Sequence, residues 1–248
     1  MKMLFRWSLW GKAVAENVQM LVDSIRSFRQ VMGVTSEYVV FTEDQRTLSR
    51  YVGALAGIRE FREVPDGSFN YFGTATWAKW CPQARLAPGD TEVHLDCDVF
   101  LLQQPTELLE LAQSHANRYL VLQEFSGAFW QRGVFADCIP IETPFINAGF
   151  FVQGPRADIS GALQAEFDWW RTKRGDRVET FHDEQGGLTK ALLPALRMGC
   201  VDLLPVSRYK VISPRSNPDL SNLDGVVLFH ATYPGHPAWQ KFRGLLPS

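Results

Sequence analysis

Short apolar runs in this chain alternate with longer stretches in which apolar residues recur at helical spacing. The run from Met3 to Leu9 predicts a buried first strand, and the β-branched and aromatic segment from Tyr38 to Thr42 predicts a second. Between them, apolar residues follow the spacing of an amphipathic helix at Val14, Val18, Leu21, Val22, Ile25 and Phe28. A second helical face begins at Leu48 and ends near Gly57. This order predicts an α/β fold with a central, mostly parallel sheet flanked by helices.

The remainder of the chain continues this alternation. Its helical patterns cover Ala75 to Leu86, Thr106 to His115, Ile159 to Trp170 and Gly187 to Met198. Its strand patterns cover Val93 to Leu102, Tyr119 to Leu122, Phe145 to Val152, Val201 to Leu204 and Val226 to Phe229. The tail from Thr232 to Pro247 is rich in proline and glycine, which predicts irregular structure. With 248 residues and no internal repeat or linker, the chain suits a single domain over residues 1–248.

Composition and charge restrict the class of protein. A hydrophobic fraction of 46% indicates a globular chain, and the formal net charge of −2 argues against binding to nucleic acid or an anionic membrane surface, both of which use basic residues. The widely spaced cysteines indicate buried thiols in a reducing compartment. Arg6 interrupts the first apolar run, and no stretch has the length of a membrane span. We therefore expect a cytoplasmic protein, for which peripheral contact with the inner face of a membrane stays open.

Two acids interrupt the predicted strand from Val93 to Leu102. Asp96 and Asp98 flank Cys97, and burying like charges so close together is costly unless a cation lies between them. Residues two apart on a strand point to the same face, so both carboxylates can bind one divalent ion such as Mn²⁺ or Mg²⁺. The end of a strand is also where open α/β sheets bind ligands. The alternative is an exposed strand end with two unpaired acids.

Two later segments can bring polar groups to the same edge of the sheet. The stretch Asn147-Ala148-Gly149 lies between apolar residues, where a backbone can approach a ligand closely. A β-bulge without function is its alternative. His230 follows the apolar run that begins at Val226, and it is either a ligand or a structural histidine.

The order of these segments resembles the glycogenin and bacterial lipopolysaccharide galactosyltransferase family, a group of retaining glycosyltransferases with the GT-A fold. The resemblance covers most of the chain. It depends on His94-Leu95-Asp96-Cys97-Asp98, on Phe145-Ile146-Asn147-Ala148-Gly149, on Asp183-Glu184-Gln185, and on His230 followed by Gly235-His236-Pro237-Ala238-Trp239. It implies one GT-A domain, with a nucleotide-binding half at residues 1–102 and a half for the sugar and acceptor at residues 103–248.

The resemblance implies metal-dependent transfer of a hexose from a nucleotide-diphosphate sugar, by analogy a UDP-sugar, to a glycan, lipid-linked or other acceptor. Asp96, Asp98 and His230 match the family's ligands for Mn²⁺ or Mg²⁺, an ion that offsets the charge on the departing nucleoside diphosphate. Cys97 lies within this stretch that binds the nucleotide sugar. Lys79, on the helix predicted before the acids, either reaches the diphosphate or faces solvent.

Further residues match the family's sugar pocket. The stretch Asn147-Ala148-Gly149 matches the segment that lines this pocket, and Glu184-Gln185 resembles an Asp-Gln pair beside the transferred sugar. Asp183 can serve instead of Glu184, either by orienting an acceptor hydroxyl or by stabilising positive charge at the anomeric carbon of the sugar. The alternative for both acids is stabilisation of a helix N-terminus.

The chain departs from the family in two places. Where the family often has Gly-x-Lys-Pro-Trp, whose lysine contacts phosphate, this chain has Gly235 and His236, which predicts a weaker or altered contact. The first strand and turn resemble those of related bacterial transferases but lack a clear signature for the base. Trp7, Leu9 and Trp10 are therefore the candidate nucleotide contacts, and core packing of the two tryptophans is the alternative.

Two other functions stay open at this stage. A sugar-phosphate nucleotidylyltransferase shares the nucleotide-binding sheet and the metal, but its Gly-rich, basic loop is not seen from Trp10 to Asn17. A non-catalytic protein that binds nucleotide sugars keeps the fold, although it does not need the acid pair Asp183 and Glu184.

Overall fold

The computed structural model describes residues 2–10, 13–60, 79–80, 85–114, 117–124, 129–174, 182–212, 223–231 and 243. In chain order, the helices and strands of these ranges are β1 (Met3–Ser8), α1 (Ala13–Met32), β2 (Glu37–Thr42), α2 (Gln45–Val52), β3 (Gly57–Glu60), β4 (Thr91–Leu95), β5 (Val99–Leu101), α3 (Thr106–Ser114), β6 (Tyr119–Gln123), β7 (Ile146–Gln153), α4 (Ser160–Arg174), α5 (Asp183–Arg197), β8 (Val201–Leu203), β9 (Tyr209–Val211) and β10 (Leu228–His230). A run of 3₁₀ turns, Phe129–Cys138, lies between β6 and β7 and bends at Gly133.

The larger sheet has seven strands in the order β3-β2-β1-β4-β7-β6-β8. Strands β3, β2, β1 and β4 are parallel, β7 runs antiparallel to both β4 and β6, and β8 is parallel to β6. Strands β5, β10 and β9 form a smaller sheet, in which β10 is antiparallel to β5 and parallel to β9. The predicted α/β fold class, a mostly parallel sheet with helices, is confirmed.

Two large apolar clusters hold the helices to the sheet. The first joins β1 and β2 to α1 and α2 through residues such as Phe5, Ile25 and Leu48. The second joins β6 and β7 to α4 and α5, with Trp170 and Leu188 fully buried. Because helices cover it, the sheet buries all six residues of β1 and all eight of β7, as the near-continuous apolar runs predicted.

The prediction of one strand from Val93 to Leu102 is wrong. It consists of β4 and β5, which belong to different sheets, and the acids lie in the turn between them. Asp96 donates its backbone N–H to the Gly149 carbonyl at 2.9 Å, after which the Asp96 carbonyl accepts from Val99 N at 3.3 Å. The two carboxylates therefore meet through a turn and not through the alternation of a strand.

Other boundaries also differ from the sequence patterns. The pattern from Leu48 to Gly57 is a shorter helix, α2, followed by the unpredicted strand β3, and β9 is likewise unpredicted. Helix α5 begins at Asp183, four residues before the predicted Gly187. Most of the predicted helix from Ala75 to Leu86, and the tail beyond Ala231 except Arg243, lie outside the described residues. Among the helices that the structure describes, none is long and apolar enough to span a bilayer.

Candidate active site

Asp96, Asp98 and His230 converge at the carboxyl end of β4. Strand β10 pairs with β5, and Ala231 N donates to the Asp98 carbonyl at 2.9 Å, which brings the last residue of β10 beside the turn. His230 Nε2 lies 3.0 Å from Asp98 Oδ1 and 3.8 Å from Asp96 Oδ2. One ligand atom from each of the three side chains lies within 4.8 Å of the other two. Two carboxylates and an imidazole so placed fit a divalent ion such as Mn²⁺.

The pKa values of this trio reflect mutual attraction. Burial lowers the pKa of His230, but the adjacent Asp98 carboxylate outweighs it, so the pKa is raised. Burial raises the pKa of Asp98, and the imidazole outweighs that effect, so the pKa is lowered. The Cys97 thiol faces β1, where it donates to the Ser8 carbonyl at 3.4 Å. Burial, with the charges of Asp98 and Asp96, raises its pKa well above the ordinary value.

Lys79 connects the acids of the turn to the start of α5. Its ammonium donates to both Asp96 oxygens, at 2.9 and 3.2 Å, and to Glu184 Oε1 at 3.2 Å. Burial lowers the pKa of Lys79, but the two carboxylates outweigh it and raise it. Of the two alternatives for Lys79, the structure therefore places it in the site and not in solvent.

The net charge of the cluster depends on the protonation of His230 and Glu184. Among the described residues, the ammonium of Lys79 faces these acids, so two negative charges are left when Asp96, Asp98 and Glu184 are all ionised and His230 is neutral, as a metal ligand must be. Buried charge without compensation is costly, and a divalent cation would balance this cluster.

Asn147 fixes the orientation of His230. Its Oδ1 accepts from Gly149 N at 2.9 Å and lies 2.8 Å from His230 Nδ1, while its Nδ2 donates to Glu124 Oε2 at 2.8 Å. Because Gly149 N must donate, the atom facing the imidazole is the oxygen, and His230 must hold a proton on Nδ1. Its Nε2 is then the ring nitrogen that faces the acids and would bind a metal.

Gly149 is required by the same contact. A Cβ on this residue would lie 2.3 Å from His230 Cε1 and 2.4 Å from His230 Nδ1. Both atoms belong to a ring that Asn147 and Asp98 already hold, so neither can move aside. The small residue predicted to allow close approach of a ligand here allows close approach of His230.

The two acids at the start of α5, Asp183 and Glu184, lie in different environments. Glu184 lies in the cluster, and burial raises its pKa against the opposing attraction of Lys79. Asp183 points away from it: Oδ1 accepts from Val134 N at 2.8 Å and Oδ2 accepts from Trp170 Nε1 at 3.0 Å. Glu184 is therefore the acid of this pair that the structure places with Asp96.

Gln185 ties three segments together beside the site. Its Oε1 accepts from Ala148 N at 3.2 Å, and its Nε2 donates to the Gln131 carbonyl at 3.2 Å. Helix α5, strand β7 and the 3₁₀ run are thereby braced against one another. The role of Gln131 was not visible in the sequence, because a backbone carbonyl leaves no residue signature.

The predicted nucleotide contacts of the first strand lie mostly in the core. Trp7 is 1% exposed, lies nearly parallel to the Tyr38 ring and edge-on to the Phe28 ring, and donates to Ser24 Oγ. Of its two alternatives, this burial favours core packing and corrects the prediction of a nucleotide contact. Leu9 is buried as well, 4% exposed. Trp10 is half-buried against a small apolar cluster. The predicted phosphate contacts Gly235 and His236 lie outside the described residues.

Comparisons with known proteins establish the fold. No known family matches the sequence, and no curated protein matches it either. The galactosyltransferase LgtC, in complex with donor and acceptor sugar analogues, is similar over 100% of this chain and 97% of its own, with 14% identity and a TM-score of 0.57. Mouse xyloside xylosyltransferase 1 is similar over 94% of this chain and 98% of its own, with 11% identity and a TM-score of 0.58.

A third solved structure is similar to this chain over only part of its own length. The bifunctional glycosyltransferase WbbM is similar over 95% of this chain and 46% of its own, with 13% identity and a TM-score of 0.61. At such low identity the likeness concerns the backbone: this chain has the GT-A fold that the sequence predicted.

Proposed function

We propose that this chain is a metal-dependent glycosyltransferase that moves a hexose from a nucleotide-diphosphate sugar, a UDP-sugar by its resemblance to the lipopolysaccharide galactosyltransferase family, to a carbohydrate or lipid-linked acceptor. One observation carries the proposal: Asp96, Asp98 and His230 converge at the carboxyl end of β4, where sheets of this kind bind ligands. The similar solved structures are glycosyltransferases, which supports a transferase more than a nucleotidylyltransferase.

The three converging side chains would hold Mn²⁺ or Mg²⁺. Such an ion supplies a Lewis acid that stabilises negative charge on the leaving nucleoside diphosphate. Asp96 and Asp98 provide oxygen ligands, and the hydrogen bond from His230 Nδ1 to Asn147 turns Nε2 towards the same point. With His230 neutral and the three acids ionised, the negative charge of the cluster would attract the cation before any nucleotide binds.

Glu184 is the acid we assign to the reacting sugar. Lys79 holds its Oε1 and Gln185 N donates to its Oε2 at 2.9 Å, so the carboxylate has a fixed position at the N-terminus of α5. A carboxylate held beside an anomeric carbon stabilises the positive charge that develops as the bond to the leaving group breaks. Retention of configuration is carried over from the resemblance, as is the division into residues 1–102 for the nucleotide and 103–248 for the acceptor.

The proposal is tested by calorimetry of UDP binding with Mn²⁺ and with EDTA. We expect binding in Mn²⁺ and none in EDTA, because Lys79 is already bound by Asp96 and Glu184 and cannot hold a diphosphate alone. Unchanged affinity after chelation would remove the metal from the proposal.

A pair of variants then tests catalysis. Asp98→Asn should lower hydrolysis of a UDP-sugar by more than about 100-fold, because it removes one charged metal ligand. Asp90→Asn is the matched control, since Asp90 lies at the other end of β4, and it should keep wild-type activity. Full activity of Asp98→Asn contradicts the assignment, whereas metal-dependent binding of nucleotide sugars without any turnover would indicate a non-catalytic binding protein.

A further inference from the structure

Trp130 is a large aromatic side chain left open to solvent beside the candidate active site. Its exposed fraction is 53%, although three other tryptophans of the chain are fully buried. It lies in the 3₁₀ run Phe129–Cys138, between the strand that leads to Glu124 and the strand that begins just before Asn147. A single exposed apolar side chain is ordinary on a protein surface, so it is the position of this indole next to the acids of the site that points to a ligand.

The backbone under Trp130 is firmly held. The carbonyl of its neighbour Gln131 accepts from Gln185 Nε2. The buried guanidinium of Arg132 donates to the carbonyls of Ile139, Pro140 and Thr143, which closes the segment on itself. A ring carried by such a braced segment loses little further freedom when a ligand packs on it.

Polar groups surround the indole on the side of the active site. The His182 ring lies 4.7 Å from the Trp130 ring, centroid to centroid, at an interplanar angle of 69°. His182 directly precedes Asp183, so it is two residues from Glu184. Burial lowers the pKa of His182, and the charge of Glu124 opposes this effect. Glu124 accepts from Asn147 Nδ2 at 2.8 Å, beside the candidate metal site.

From this arrangement we infer that Trp130 and His182 form the binding platform for the acceptor, and that the acceptor presents a saccharide ring at this point. The C–H face of a pyranose packs on the apolar face of an indole, while its hydroxyls can bond to the imidazole and to the carboxylate of Glu124. An acceptor that offered only an alkyl chain would gain nothing from these polar groups. The inference rests on the proposed function and specifies the class of its acceptor.

Saturation-transfer NMR of three saccharides, lactose, maltose and methyl β-D-galactopyranoside, tests the platform in protein loaded with Mn²⁺ and UDP. We expect wild-type protein to bind at least one of them, and Trp130→Ala to weaken that affinity by about tenfold. Trp130→Phe keeps an aromatic face and should lose less. Tyr51→Ala is the matched control, because Tyr51 is 55% exposed on α2, beside the opposite edge of the sheet. It should bind as the wild type does.

A second measurement covers the case in which Trp130→Ala unfolds. Both the wild-type protein and Trp130→Phe are labelled with fluorotryptophan, and the resonance that is missing from the variant is that of Trp130. In the wild-type protein this resonance should shift when the saccharide is added. No saccharide binding by the wild type, equal binding by Trp130→Ala, or an unmoved Trp130 resonance would each overturn the inference. Failure of the proposed function is a different result, since it appears as loss of metal-dependent UDP binding before any saccharide is added.

Discussion

Strand β4 and the turn after it carry two charge clusters that look alike in sequence and differ in structure. In the strand, Glu92 and His94 lie with Arg6 of β1, and all three are less than 5% exposed. After the strand come Asp96 and Asp98 with His230. The first cluster joins one acid, a histidine and a cation, and the second joins several acids, a histidine and a cation, yet only the second lies where open α/β sheets bind ligands.

Each of the two histidines faces an amide side chain of β7, His94 through the amide nitrogen of Gln153 and His230 through the amide oxygen of Asn147. Gln153 accepts from Ile159 N through Oε1, so its Nε2 donates to His94 Nε2 and favours the neutral ring. Asn147 accepts from His230 Nδ1 and favours the protonated or metal-bound ring. Burial and the charge of Arg6 lower the pKa of His94 to about 4, whereas Asp98 raises that of His230 against the effect of burial.

This difference shows how a buried charge cluster that stabilises the fold can be distinguished from one that binds a ligand. Glu92 bonds to Arg6 at 3.0 Å and accepts from Leu86 N and Ala87 N, so its charge is compensated within the protein. Among the described residues, the cluster after the strand has more acids than cations once His230 is neutral. A balanced buried cluster holds the fold together, and an unbalanced one at the edge of the sheet awaits a ligand.

The largest expected effect comes from breaking the balanced cluster. Glu92→Gln leaves the Arg6 guanidinium buried without a counter-charge and should lower the free energy of unfolding by about 3–5 kcal/mol. Urea denaturation in EDTA measures it. Asp98→Asn is the comparison, because it removes one acid from a cluster with too many. This variant also loses the ion pair that Asp98 makes with a protonated His230, so the comparison is made at a pH at which His230 is neutral. There we expect a smaller loss of stability than in Glu92→Gln in the absence of metal, and an equal loss in both variants would refute the distinction.

A smaller effect concerns pH. His94 has a folded pKa of about 4, below its ordinary value, so between about pH 4 and 6.5 the unfolded chain binds a proton that the folded chain does not. Its contribution to stability is present above about pH 6.5 and is lost as the pH falls through that window, by up to about 3 kcal/mol. Denaturation curves at several pH values should show a shallower slope for His94→Gln.

His230 should behave in the opposite sense in metal-free protein. Its folded pKa is raised, so its stabilisation is present below about pH 6.5 and is lost as the pH rises through the folded pKa. His230→Gln should remove this loss without changing the slope at lower pH. Two histidine variants with the same pH profile would show that the clusters are not distinct.

The smallest expected effect comes from removing the two amides that face the histidines, those of Asn147 and Gln153. Asn147→Ala removes the acceptor for His230 Nδ1 and should lower Mn²⁺ affinity by about 10–100-fold, as loss of a partner to a metal ligand does. Calorimetry of Mn²⁺ without nucleotide measures it. Gln153→Ala is the matched control on the same strand and should lower stability while leaving Mn²⁺ affinity unchanged. If both variants weaken Mn²⁺ binding alike, orientation by Asn147 is not the cause.

The sequence predicted the fold class because most strands of the central sheet are compact apolar runs and α1 has a clear helical spacing. It missed β3 and β9, of four and three residues, because charged side chains such as Arg59 and Lys210 interrupt these short segments. It also merged β4 with β5, since both are apolar and the change of sheet depends on pairing with β10.

In the site, the sequence identified residue types and the structure supplied the contacts. Asp96, Asp98 and His230 were proposed together from a resemblance, and the three side chains do lie together. The paired contacts of Asn147, the engagement of Lys79 and the separation of Asp183 from Glu184 depend on distances between segments far apart in the chain. The grouping of Glu92 and His94 with Arg6 could not be predicted, because the sequence does not show whether an arginine faces a buried acid.

The pairing of β5 with β10 also has a consequence for synthesis of the protein. During translation Asp96 and Asp98 emerge from the ribosome well before Leu228–His230, so the nascent chain exposes two acids without the imidazole of β10 beside them. The proposed set of metal ligands forms only after β10 has emerged and docked. We therefore expect a truncated product that ends before β10 to bind Mn²⁺ more weakly than the whole chain does.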